Sequence, residues 1–108
     1  MDSTNTKPKK GDAPRKILFD PGSIYATPGA LAAWTPWGLR DVLSRHLRGD
    51  WGDLCEEDKR SNDEALVDGS RILSAYHTEL GEKLWVITEA ADDEGVRQAT
   101  TFLLPDEY

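Results

Sequence analysis

Arg45-His46-Leu47-Arg48-Gly49-Asp50-Trp51-Gly52-Asp53-Leu54 is the stretch that partitions the chain: an amphipathic helix stops inside it and an acidic helix starts just beyond. Upstream, Leu39, Val42, Leu43, His46 and Leu47 recur three or four residues apart and so share one helical stripe. Thr35-Pro36 starts that helix, because threonine caps free amides and proline at the first helical position forfeits no internal hydrogen bond. The helix ends near Arg48, where Gly49 can turn left-handed and Arg45 and Arg48 suit the negative end of the helix dipole. Gly49-Asp50-Trp51-Gly52 reads as a compact link around an indole, and Asp53 as the cap of a helix over Glu56 to Asp68, stopped by Gly69. Glu56, Glu57 and Asp58 occupy its first turn, and Glu56 and Arg60 stand at ion-pair spacing. Leu54, Ala65 and Leu66 supply a thin apolar stripe, so one face of this helix is expected to stay wet.

Toward the amino end, Thr27-Pro28 repeats the start signal for a shorter helix, Pro28 to Trp34. Before it, the apolar run Ile17-Leu18-Phe19 is stopped by the turn Asp20-Pro21-Gly22, and Ser23 to Ala26 forms a short extended piece. Toward the carboxyl end the pattern changes to β. Strands are expected over Arg71 to Thr78, over Lys83 to Glu89 and over Gln98 to Leu104, with a turn around Gly81 and an acidic loop from Ala90 to Gly95. The fold class is therefore α+β: two or three helices packed on a three- or four-stranded antiparallel sheet.

The 108 residues suit one domain, with residues 1–16 as a flexible basic tail and residues 17–108 as a single acidic body. The tail carries Lys7, Lys9, Lys10, Arg15 and Lys16 against Asp2 and Asp12, a charge of +3, which leaves −10 of the net −7 on the body. Such a body repels a phosphate backbone, which disfavours direct nucleic-acid binding and favours a partner protein with a basic surface. Cys55 is the single cysteine, so no internal disulfide can form and a reducing cytoplasm is the expected compartment. No apolar run is long enough for a membrane span, and the start lacks a signal-peptide core.

Five segments in this order resemble a bacterial family found on plasmids and integrative elements and described as plasmid-related protein. They are Ala26-Thr27-Pro28-Gly29-Ala30-Leu31, Ser44-Arg45-His46 with Gly49-Asp50-Trp51-Gly52-Asp53-Leu54, Ile72-Leu73-Ser74-Ala75-Tyr76, Leu84-Trp85-Val86-Ile87-Thr88-Glu89, and Thr100-Thr101-Phe102-Leu103-Leu104-Pro105. The resemblance spans Ile17 to Tyr108 and implies an accessory protein of mobile DNA acting on a host defence or regulatory protein. It supplies no catalytic set. A methyltransferase domain does not fit in this length, and no glycine-rich cofactor loop follows a strand, so no cofactor is assigned.

His46, Asp50, Asp53 and Cys55 offer mixed metal donors within ten residues but lack paired ligand spacing, and no metal is assigned. Cys55 beside His46 is a conceivable nucleophile, in an acidic setting that disfavours a thiolate. The alternative function, a small nucleic-acid-processing enzyme, would use His46, Arg97 and Thr101, with His77 and Thr100 as substitutes. The favoured reading is a non-enzymatic binding protein that docks through Asp50, Trp51, Asp53, Glu56, Glu57 and Glu64, as an inhibitor or DNA mimic. In that reading Asp58, Asp63, Asp68, Asp92, Asp93 and Glu94 extend the acidic surface. Trp34, Trp37 and Trp51 are expected mainly in the core, with Trp51 the indole best placed for binding, and Trp85 lies beneath the sheet.

Overall fold

The structure is a computed structural model that describes residues 16–78 and 80–108. The expected basic tail, apart from Lys16, lies outside these residues. In chain order the elements are β1 (Ser23–Ala26), α1 (Pro28–Ala33), α2 (Pro36–Leu47), α3 (Glu56–Asp68), β2 (Ile72–His77), β3 (Lys83–Thr88) and β4 (Ala99–Leu103), then a 3₁₀ turn at Pro105–Glu107. Three helices thus pack on a four-stranded sheet of order β1-β4-β3-β2, and the class is α+β. The sheet is mixed rather than purely antiparallel, because β1 runs parallel to β4 with Ser23 opposite Ala99 and Ala26 opposite Phe102. A parallel neighbour needs a crossover. Here the whole helical layer and the β2–β3–β4 meander separate the two strands in the chain and provide it.

The helix starts follow the threonine–proline pairs. Thr27 Oγ1 accepts from Ala30 N at 3.1 Å, and Thr35 Oγ1 accepts from Gly38 N at 3.0 Å. Glu107 reinforces the first cap from the far end of the chain, accepting from Thr27 Oγ1 at 2.6 Å and from Gly29 N at 3.0 Å. Gly49 and Gly69 take φ values of 86° and 84° at the ends of α2 and α3, as helix-terminating glycines do. The start of α3 differs from expectation. Its cap residue is Cys55, whose side chain makes no capping bond, while Asp53 turns to His77 instead. The first-turn ion pair is also different, joining Glu56 to Lys59 at 3.7 Å rather than to Arg60.

One core cluster joins Trp34, Leu39 and Val42 to Tyr76, Leu84, Val86 and Phe102, so α1 and α2 cover the central strands. A second joins Trp51, Ala65 and Ile72, with Phe19, Leu54 and Leu66 packed against it, and holds α3 over the β2 side. Two of the four indoles, Trp34 and Trp51, are core; Trp37 is 75% exposed, contrary to the core expectation, with Arg40 over its ring.

Strand β2 lies at the sheet edge, and two devices cover its outer backbone. Ala75 donates to Trp51 O at 3.2 Å and accepts from Asp53 N at 2.7 Å, so residues 51–53 add a short parallel rung. Asn62, 5% exposed on α3, donates to Leu73 O at 2.8 Å and accepts from Leu73 N at 3.2 Å. Gly52 sits in the rung at φ 75°, where a Cβ would overlap the Ala75 carbonyl oxygen and the Tyr76 ring. Gly52→Ala is therefore expected to lower the unfolding free energy by about 3 kcal/mol, the left-handed penalty plus the overlap. Gly81→Ala is the control: φ is 88° but no atom lies within 4 Å of the added carbon, so about 1 kcal/mol is expected. Urea unfolding of both variants measures the difference.

Candidate functional site

His46 is fully buried, and both of its ring nitrogens are hydrogen-bonded. Its position on the apolar stripe of α2 drives the imidazole onto the sheet, where alternation brings Ser74, Thr88 and Thr100 to the same face. Nδ1 lies 2.6 Å from Ser74 Oγ, and Nε2 lies 2.8 Å from Thr88 Oγ1. Thr88 Oγ1 is 2.6 Å from Thr100 Oγ1, which donates to Pro21 O at 2.8 Å. A carbonyl oxygen can only accept, and this sets the direction of the chain. Thr100 spends its proton on Pro21, so Thr88 donates to Thr100. His46 must then donate from Nε2 to Thr88, and Ser74 donates to Nδ1. The neutral Nε2–H tautomer satisfies every bond.

Burial drives the His46 pKa down to about 3, and the positive charge of Arg97 pushes in the same direction. A serine hydroxyl donating to a neutral imidazole has the form of a nucleophile and base, but Ser74 and His46 are both fully buried and no substrate can reach them. Arg97 is equally committed. Its guanidinium donates to Ser70 O at 2.7 Å and to Glu89 O and Ala65 O at 2.9 Å, closing the carboxyl end of α3 onto the sheet. Phe19 lies between the two, edge-on to His46 and 5.7 Å from the Arg97 guanidinium carbon. Thr101 projects to the opposite sheet face from Thr100 by the period-two rule. The expected trio His46, Arg97 and Thr101 therefore does not form a catalytic cleft: the first two are structural and the third faces away.

The other proposed residues lie at the surface in two groups. In the link after α2, Asp50 Oδ2 accepts from Arg45 Nε at 2.8 Å, and Asp50 Oδ1 accepts from Gly52 N at 3.2 Å. Arg45 also lies over the Tyr76 ring at 4.7 Å, and its hydrogen bond to Asp50 raises its pKa. Asp53 Oδ2 meets His77 Nδ1 at 2.8 Å, extending the Gly52–Ala75 rung by one side-chain contact. Arg45, Gly52, Asp53, Tyr76 and His77 border a shallow depression of about 280 Å³. Asp50 and Asp53 are thus each held by a partner, while Cys55 is exposed and His46 is buried beneath them. Among the described residues, no three His, Cys, Asp or Glu side chains are grouped to hold a metal ion.

The second group belongs to α3, where Glu56, Glu57, Asp58, Asp63, Glu64 and Asp68 are all exposed, with Glu56, Glu57, Glu64 and Asp68 on its outer side. Trp51 does not join them as a contact residue. Its indole is 4% exposed and donates from Nε1 to Asp63 Oδ1 at 3.0 Å, anchoring α3 from below. Asp92 stands at the neck of the acidic loop, accepting from the amides of Val96 and Glu94 at 2.9 Å, bonds that lower its pKa. Asn62 and Ser74 escaped the sequence reading, although a lone asparagine beside Ala65 on the inner stripe of an acidic helix is a legible anomaly. A larger groove of about 740 Å³ runs between residues 18–23, the end of α3 and residues 91–98, but the donors of the Arg97 at its wall are taken by the carbonyls above.

Comparison with protein-family models, with curated proteins and with solved structures finds no match to the chain.

The pH behaviour of His46 follows from its burial. The folded state holds it neutral down to about pH 3, whereas the unfolded chain protonates it near the ordinary histidine value of 6.5. Its contribution is complete above pH 6.5 and drains as pH falls toward 3, because unfolding then takes up one proton. Between pH 7.5 and 5 the unfolding free energy should drop by about 2 kcal/mol from this group. In His46→Gln that pH-dependent loss should vanish; urea titrations at several pH values measure both slopes.

Proposed function

We propose that this chain is a non-catalytic binding protein that presents the outer face of α3 to a basic surface on another protein. The observation that carries the reading is the contrast between the two sides of α3. Its inner side is stitched to the sheet by Asn62, by the Trp51–Asp63 bond and by Arg97 on Ala65 O. Its outer side sets Glu56, Glu57, Glu64 and Asp68 in solvent, with Lys59 and Arg60 the cations of the helix. A helix held on one side pays little ordering entropy on binding, and a rigid row of carboxylates steers a cationic partner toward it. Asp50 and Asp53 continue the acidic surface from the preceding link.

Carboxylates at helical spacing imitate the phosphates that a nucleic-acid-binding protein contacts, so the partner class with the best fit is such a protein. The resemblance to proteins of mobile DNA sets this in a bacterial cell, with a host defence or regulatory factor as the target and inhibition by DNA mimicry as the outcome. No cofactor and no membrane take part in this reading.

The test begins with a partner captured by the tagged chain and then purified. Its affinity should fall at least tenfold in the Glu56→Lys, Glu57→Lys, Glu64→Lys triple variant and should weaken steeply as salt rises. Far-UV circular dichroism checks that the variant keeps its fold, and competition with duplex DNA reads out mimicry. Binding indifferent to both salt and the triple reversal would reject the acidic docking face.

A further inference from the structure

Leu18, Val67 and Val96 are 47%, 90% and 47% exposed, and all three border the groove of about 740 Å³ between residues 18–23, the end of α3 and residues 91–98. Half-buried Phe19 and Leu66 add apolar carbon to the same groove. These side chains come from three separate parts of the chain, and the fold brings them together. Phe19 and Leu66 pack against the Trp51 cluster, which fixes two walls. Arg97, 8% exposed, fixes the third by donating to Ala65 O and Ser70 O. The rim is acidic. Asp20 lines the groove, Asp68 follows Val67, and Glu64 stands three residues before Val67, beside it on the helix surface. Asp92, Asp93 and Glu94 lie between the lining residues Ala91 and Gly95. All six carboxylates are exposed, and an apolar patch with a polar rim marks a contact site.

We propose that this groove takes a segment of the partner protein in which one or two apolar side chains are flanked on both sides by lysine or arginine. The occupant is identified by charge complementarity. Exposed apolar carbon calls for an apolar side chain, and carboxylates on three sides of it call for cations around that side chain. The chain's own start does not supply this pattern: its cations Lys7, Lys9 and Lys10 enclose only Pro8, and no leucine, isoleucine, valine or aromatic residue occurs before Ile17. The proposal rests on the acidic docking reading and deepens it, because Glu64 belongs to the outer side of α3 and Val67 lies one turn beyond, so the acidic row runs into the groove. The two parts of the contact do different work. Carboxylates hasten encounter and make binding salt-dependent. Apolar burial is not screened by salt and slows departure.

Fluorescence anisotropy of labelled synthetic peptides titrated with the full chain tests it. The probes share one length: lysines flanking two central leucines, the same lysines with serines in place of the leucines, and the same leucines with glutamines in place of the lysines. The leucine–lysine peptide should bind at least roughly tenfold more tightly than either of the others. Val67→Ser should weaken that peptide roughly tenfold, leave the lysine–serine peptide unchanged, and leave the salt dependence of both unchanged. Val67 is 90% exposed, so this variant keeps the fold, which circular dichroism confirms; Val96→Ser is the second variant, with a smaller weakening expected. The Glu56→Lys, Glu57→Lys, Glu64→Lys variant should weaken both lysine peptides. Equal affinity for the leucine–lysine and lysine–serine peptides overturns the proposal, as does binding indifferent to both valine changes. Either result with the triple reversal still weakening both lysine peptides leaves the acidic face standing without the groove. Indifference to the triple reversal rejects the acidic face itself.

Discussion

The fold depends on the hydrogen-bond chain that runs from Ser74 through His46, Thr88 and Thr100 to the carbonyl of Pro21. It links α2, three strands and the turn before β1 through side chains that are all fully buried. Hydrogen bonds of this kind contribute only about 1 kcal/mol each, yet leaving one buried member unpaired costs about 1–3 kcal/mol, so the chain punishes wrong arrangements more than it rewards the right one. A one-residue slip of β2, β3 or β4 would turn its hydroxyl to the opposite face and strand the others. Register is thus specified by polar atoms inside an apolar layer, with His46 joining α2 to the sheet as Asn62 joins α3 to its edge.

The same logic explains why the edge of β2 is closed. An exposed edge next to a buried imidazole would admit water to the interior, and the rung formed by residues 51–53 seals it. That rung accounts for the local sequence: Gly49 to leave α2, Asp50 to hold Arg45 and the turn, Trp51 to fill the space under α3, and Gly52 to bring backbone against Ala75. Tyr76 joins in by donating its hydroxyl to Asp50 O at 2.7 Å, and burial pushes its pKa well up. The link between the helices is therefore a structural joint that also fixes the tilt of the acidic helix above it.

Local signals were legible in the sequence where the cause is local. The threonine–proline starts, the glycine stops at Gly49 and Gly69 and the β-branched run of β3 act within a few residues of themselves, and the helix and strand bounds follow from them. What escaped was set by residues far apart. His46 and its hydroxyl partners are separated by 28 and 42 residues, and nothing in their spacing distinguishes a buried network from a catalytic set. Arg97 looked like a free cation because its acceptors are carbonyls, which carry no residue-type signature. Asp53 suited a cap by position, but an exposed His77 brought alongside by the Gly52–Ala75 rung offered a charge-capable partner. The parallel pairing of β1 was hidden for a similar reason, since four residues of Ser-Ile-Tyr-Ala reveal a strand without revealing its neighbour.

With His46, Ser74 and Arg97 committed to the interior, the two outer surfaces of this two-layer body differ in kind. The helical side is acidic and polar, suited to steering and to an exchangeable, salt-sensitive contact. The sheet side is closed over its middle by the chain itself, since Ile87 and Leu103 are 5% and 7% exposed and Tyr108 lies against Trp85. Charge on the helical side then sets how fast a cationic partner arrives, while the rigid seat of α3 on the sheet sets which partners fit it well enough to be retained.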